Sequence, residues 1–261
     1  MAKDNYKKTV VGMFLLLGSL AAGAEQNSFS LTSGFDYSTG KYGTDSATDI
    51  LYIPLIAKYE TPRLTYKLTV PYISIKSAGG VVGGDGSPIV IGAGSGGART
   101  TQSGLGDIVG AVSYTLFEQT DSSPLVDITG KIKFATADEN KGLGTGENDY
   151  TVQADVYRTY GAFTPFGTLG YKVLGDTPTT NFNNVLFGSL GGGYKINQQT
   201  SSGLILDLRE AATSSGSPQR DLTAYVSHKL TSEAKIQGYV GKGFSDGSAD
   251  WGGGAMVTVG F

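Results

Sequence analysis

The chain has 261 residues, of which 39% are hydrophobic and 16% charged, with a net charge of −3 and no cysteine. The missing basic surplus argues against nucleic acid as a partner, and the missing cysteine excludes disulfides, thiolate metal centres and a cysteine nucleophile. Beyond the N-terminal segment no apolar run approaches the ~20 residues of a membrane helix, while 40 Gly accompany 15 Tyr and 11 Phe, a mixture suited to many short strands joined by turns.

At the N-terminus, Lys3, Lys7 and Lys8 precede an apolar stretch from Val10 to Leu20, which ends on Ala22-Gly23-Ala24. Basic, apolar and small-residue segments in that order mark a secretory signal peptide cleaved after Ala24. A retained membrane anchor is the alternative, but the run is shorter than the ~20 residues of a span. The expected division is therefore a signal peptide over 1–24 and one mature unit over 25–261.

Strands are then expected at 28–38, 46–60, 63–76, 104–119, 125–137, 147–160, 163–176, 183–196, 201–212, 217–230, 233–244 and 250–261. The basis is alternation, because successive side chains of a strand point to opposite faces. In 64–70, Leu64, Tyr66, Leu68 and Val70 alternate with Thr65, Lys67 and Thr69. In 126–134, Val126, Ile128, Gly130, Ile132 and Phe134 alternate with Asp127, Thr129, Lys131 and Lys133. The last segment puts Trp251, Gly253, Ala255, Val257, Val259 and Phe261 on one face and Gly252, Gly254, Met256, Thr258 and Gly260 on the other. It has the roughly 9–11 residues of a transmembrane strand, with aromatic residues at both ends where interfacial girdles lie.

Short joins at 61–62, 120–124, 161–162, 197–200 and 231–232 alternate with longer ones at 39–45, 77–103, 138–146, 177–182, 213–216 and 245–249. Short periplasmic turns and long extracellular loops are the asymmetry of outer-membrane barrels. The expected fold is all-β: a single antiparallel transmembrane β-barrel of about 12 strands in the bacterial outer membrane. A soluble β-sandwich or closed soluble barrel is the alternative, since alternation also fits a sheet with one wet face. Two places break the pattern. Phe187 falls opposite Leu186 in a strand that also carries Gly191, Gly192 and Gly193, and Arg158 would face lipid unless it lies near the interface or past a bulge.

The stretches Lys141-Gly142-Leu143-Gly144-Thr145-Gly146-Glu147-Asn148-Asp149, Pro165-Phe166-Gly167-Thr168-Leu169-Gly170-Tyr171-Lys172-Val173-Leu174-Gly175-Asp176 and Gly243-Phe244-Ser245-Asp246-Gly247-Ser248-Ala249-Asp250-Trp251-Gly252 resemble the outer-membrane family named for the meta-pathway of phenol degradation. The resemblance runs over residues 28–261. It implies an outer-membrane barrel associated in some members with uptake of small organic or aromatic compounds, and it supplies no catalytic residues.

The inward face is expected to carry Lys67, Asp107, Asp127, Lys131, Lys133, Asp149, Asp155, Lys172, Asp207 and Arg209, with Asp221, Lys229 and Lys235. These charges either set the selectivity of a hydrated channel or form internal ion pairs that plug a narrow barrel. Their mixed signs argue against strong anion or cation preference. Trp251 and Phe261 are the girdle and assembly-signal positions, the C-terminal strand being the part offered to the barrel-assembly machinery. The Gly-rich loop 77–103, with Pro88-Ile89-Val90-Ile91 at its centre, is expected as a mobile extracellular flap, an inward constriction being the alternative.

Asp138, Glu139, Glu147 and Asp149 cluster acids at one loop, but their spacing matches no calcium loop, so no metal or other cofactor is expected. His228, the single histidine, falls on the outward face while its neighbour Ser227 points inward; a Ser–His pair needs hydrogen-bond reach, so an interfacial His is expected and no enzyme. The expected function is passive passage of small solutes, apolar or aromatic compounds among them, through the lumen of a barrel set in outer-membrane lipids. A barrel with a plugged lumen is the alternative, and a lipid-modifying enzyme a more distant one.

Overall fold

The computed structural model describes residues 27–79, 81, 82, 88–90 and 97–261. Apart from a short bridged pair, Thr9–Val10 with Leu17–Gly18, the leader lies outside these residues, and the expected signal peptide with it. The barrel is built from β1 (Ser28–Gly40), β2 (Thr48–Glu60), β3 (Leu64–Ser77), β4 (Thr100–Leu105), β5 (Ile108–Phe117), β6 (Leu125–Phe134) and β7 (Asp149–Tyr157). It continues through β8 (Phe163–Val173), β9 (Val185–Lys195), β10 (Thr200–Arg209), β11 (Gln219–Lys229), β12 (Ala234–Gly243) and β13 (Trp251–Gly260). All neighbours run antiparallel, and β13 pairs with β1 from Trp251↔Thr39 to Gly260↔Ser30, which closes the ring. Closure is what a membrane demands, because lipid cannot hydrogen-bond an open sheet edge.

These thirteen strands occupy twelve staves. The expected strand 104–119 is two pieces: β4 pairs with the outer half of β3 (Tyr72–Ser77) and β5 with its inner half (Leu64–Thr69). The break has a local cause. Asp107 is fully buried and accepts the backbone N–H groups of Thr136 (3.1 Å) and Ala137 (2.9 Å), which turns the chain inward there. Pro71 stands at the same level of β3, in register with Pro54 of β2, and neither has an N–H to donate to a ladder.

The outward face carries the apolar belt: Leu55, Leu68, Val112, Val152, Leu169, Leu190, Leu204, Val226 and Val257 are all exposed to the surroundings. The inward face of the same strands is buried and mostly polar, as at Thr129, Gln153, Asp155, Ser189, Gln237 and Thr258. A belt of that kind on a closed barrel is the mark of a protein of the bacterial outer membrane.

The irregular positions found in the sequence have structural reasons. Phe187 points into the barrel and covers Gly170, its registered partner; a Cβ there would meet the ring at 2.3 Å. Gly191 lies under Phe166 (2.3 Å), Gly192 under Phe163 on the outer face (2.7 Å) and Gly193 beside the Tyr225 hydroxyl (2.9 Å), so each of the three glycines makes room for a different ring. Arg158 lies past the end of β7, where it donates to the carbonyls of Asp121 and Ser122 and sits over the Tyr160 ring at 5.0 Å. It belongs to a periplasmic turn, where its charge stays hydrated.

Candidate functional site

The inward faces of the strands enclose the candidate solute path. At its extracellular end the charges neutralise one another. Lys133 of β6 reaches Asp107 (3.1 Å) and Asp149 (3.2 Å) and donates to Thr145 (3.1 Å), while Lys172 of β8 reaches Asp149 at 3.1 Å. Lys133, Asp107 and Asp149 are buried, so the group is held by mutual compensation. The segment Lys141–Asp149 wraps over this cluster. Gly142 takes φ 67 to end a single 3-10 turn, Glu139–Lys141, capped by Asp138. Gly144 lies against the Asp107 carboxylate, where a Cβ would stand 3.0 Å from Oδ2. Of the acidic residues at this loop, Asp138 caps the turn and Asp149 pairs with lysines; among the described residues no group of three or more ligands is placed to hold a metal.

Loops narrow the mouth. Leu143, with no exposed surface, packs with Tyr42, Val81 and Ala137 against the inward-facing Ile50, Tyr52, Ile73 and Ile75. Tyr42 reaches that cluster from a tight turn with positive φ (52°), followed by Gly43 (φ 74°). Burial pushes its hydroxyl up to about 12. The expectation of an outlying flap at 77–103 is not met by the part of that loop that is described. Ile89 is buried with Leu174, Val185 and Ala212, on the wall away from β3. The Pro88 carbonyl accepts from Arg209 Nη2 (2.9 Å) and Gln219 Nε2 (3.2 Å). Apolar docking and two hydrogen bonds hold this part of the loop inward.

The periplasmic half is built differently. Phe166 covers Gly191, Tyr225 covers Gly203 and Tyr239 covers Gly254, each on its registered neighbour. Leu125, Tyr157, Phe166, Ile205 and Tyr225 form one cluster, with Tyr239 packed against it. Composition had shown the aromatics but not this inward set. The available signal was an aromatic residue on a polar face, with glycine at the facing position of the next strand.

Charges also sort along the ladders. One hydrogen-bonded row reads Lys58, Lys67, Ala111, Lys131, Thr151, Lys172. Another reads Asp221, Asp207, Ser189, Thr168, Asp155, Asp127. Donors answer the acid row: Tyr157 to Asp127 (3.1 Å), Thr168 to Asp155 (2.6 Å), Gln153 to both oxygens of Asp155 (2.9 and 2.8 Å) and Ser189 to Asp207 (2.5 Å). Part of the mixed set is therefore sorted into rows of one sign, while Lys58 and Lys172 of the lysine row also pair with Glu60 and Asp149. Arg209 lies outside both rows, at the anchor of the long loop. Lys58 and Glu60, 2.8 Å apart, and Asp36, which accepts from the Tyr239 hydroxyl at 2.8 Å, are inward groups that the sequence reading missed.

At the interfaces, Trp251 lies at the extracellular rim with the Lys242 ammonium 4.4 Å from its ring. Phe261 lies at the periplasmic rim, 5.9 Å from Phe29 and bonded through its backbone to the Phe29 carbonyl. His228 bonds Thr200 through Nδ1 at 2.9 Å on the outer face, while Ser227 is buried inward.

No family model matches the chain, and no curated protein matches it. Solved structures do. An outer membrane channel from Pseudomonas putida F1 superposes with a TM-score of 0.67 at 13% identity, over 92% of this chain and 97% of that one. The NanC porin superposes with a TM-score of 0.55 at 8% identity, over 88% and 98%. At such identities the likeness concerns the fold: this chain has the barrel architecture of outer-membrane channels and porins.

Proposed function

We propose that the protein is an outer-membrane channel for passive passage of small solutes, apolar or aromatic ones among them, without covalent chemistry. The observation that carries this reading is the way rings lie in the lower lumen. Phe166, Tyr225 and Tyr239 lie over glycines of the neighbouring strand, so an aromatic patch is set against the inner wall among the polar groups. The fold shared with channels supports the same reading, as does the sequence resemblance. Residues 1–24 serve as the export signal and the C-terminal strand as the part recognised during barrel assembly. The charged rows set which solutes pass. Entry from outside requires the segment around Pro88 to leave Arg209 and Gln219.

A barrel with a plugged lumen is the second reading, favoured by the buried Leu143 and Ile89 at the mouth. Conductance of the refolded mature protein in planar bilayers separates the two. We expect discrete channels, with longer open times in Arg209→Ala/Gln219→Ala, which frees the Pro88 carbonyl. Silence from both proteins, together with liposomes that exclude phenol, would establish the plug.

A further inference from the structure

The registers place lysines directly opposite lysines. Lys58 faces Lys67 on β2 and β3, and Lys229 faces Lys235 on β11 and β12. Like charges at directly opposed positions destabilise a sheet, and rules broken inside a fold are expected at sites of function. The two pairs are linked through β13 and β1: Lys235 is in register with Thr258, Thr258 with Thr32 and Thr32 with Ile56, two residues from Lys58 on the inward face. A carboxylate stands at this group too: Glu60 lies 2.8 Å from Lys58. The aromatic cluster stands at the same end of the lumen. On β11 and β12 the facing pair Tyr225 and Tyr239 stands four residues along the same inward faces from the facing pair Lys229 and Lys235, so ring wall and lysine wall adjoin.

We infer that the periplasmic half of the lumen is a binding station for small aromatic carboxylates, the carboxylate held by Lys58, Lys67, Lys229 and Lys235 and the ring by the tyrosine-rich wall. The row Lys172, Lys131, Lys67, Lys58 leads down to it from the mouth. An arriving carboxylate relieves the repulsion between the facing lysines, and charge-assisted hydrogen bonds in a site of low dielectric are the strong kind. The acid row shares β6, β8 and β11 with Lys131, Lys172 and Lys229, but its own donors Tyr157, Gln153, Thr168 and Ser189 hold its carboxylates. The inference takes its biological sense from solute passage, but its test does not depend on conduction.

The test is calorimetric titration of the detergent-solubilised, refolded barrel with benzoate, in competition with benzamide, its neutral isostere, and with acetate, which lacks the ring. Benzoate is expected to bind. Benzamide should fail to displace it, and acetate should displace it only weakly. In Lys67→Gln/Lys235→Gln the affinity should fall about tenfold or more. Lys58→Gln/Lys229→Gln repeats the measurement if that protein does not fold, folding being checked by heat-modifiable migration. Equal displacement by benzamide, or unchanged affinity in the variants, overturns the station; equal displacement by acetate overturns its aromatic half. A barrel that binds benzoate through these lysines yet passes no solute would keep the station and remove the channel.

Discussion

The two ends of the lumen use the same inward-facing positions and solve the burial of charge in opposite ways. At the extracellular end Lys133 lies between Asp107 and Asp149, and Lys172 completes the group. At the periplasmic end lysine faces lysine, and rings rest on glycine. The first arrangement is compensated and serves to hold the 135–148 loop over the mouth. The second sets like charges opposite each other in register, with Glu60 2.8 Å from Lys58. A polar lumen is therefore not one environment, and the sign of a charge says less about its role than the sign of its neighbour on the next strand.

The largest expected effect tests the contrast directly. Lys133→Met removes the cation between two buried carboxylates and should destabilise the barrel by about 3–5 kcal/mol. Lys67→Met removes one member of a facing pair and should leave stability unchanged or raised. Guanidinium unfolding of the two refolded variants decides; equal losses would erase the distinction between the ends.

Next comes the premise that both ends share one inner face. Val257→Arg puts a charge on the lipid side and should impair assembly by roughly 2–4 kcal/mol. Thr258→Arg, next along β13 but pointing inward beside Thr32 (2.9 Å between hydroxyls), should be milder and should alter conductance. Equal tolerance at both sites, read from folded yield in outer membranes, would undo the face assignment.

The smallest effect concerns the rings. A side chain at Gly191 meets Phe166 at 2.3 Å and the Leu204 carbonyl at 2.6 Å, so Gly191→Val should cost about 1–3 kcal/mol by overpacking. Combining it with Phe166→Leu should restore part of the loss. Additive losses in the double variant would show that Phe166 and Gly191 do not act as a pair.

Much of the barrel was legible before any coordinates. Side chains alternate with period two in every strand whatever the strand pairs with, so the lipid face, the lumen face and the short and long joins can be read along the chain. The inward placement of Asp127, Lys131, Asp155, Lys172 and Asp207 follows from that period alone. The break at Asp107 was not legible, because it depends on backbone donors at Thr136 and Ala137, distant in sequence. The docking of Pro88 was hidden for the same reason: its partners Arg209 and Gln219 stand on staves formed much later in the chain.

The sequence by itself thus determined which face each residue takes, since that is a property of one strand. Tertiary structure decided which residues meet across strands, since register is a property of two. Three glycines in a row looked like a weak strand until Phe166, Phe163 and Tyr225 were found lying on them, and a mixed set of charges became two rows only once each strand had its neighbour.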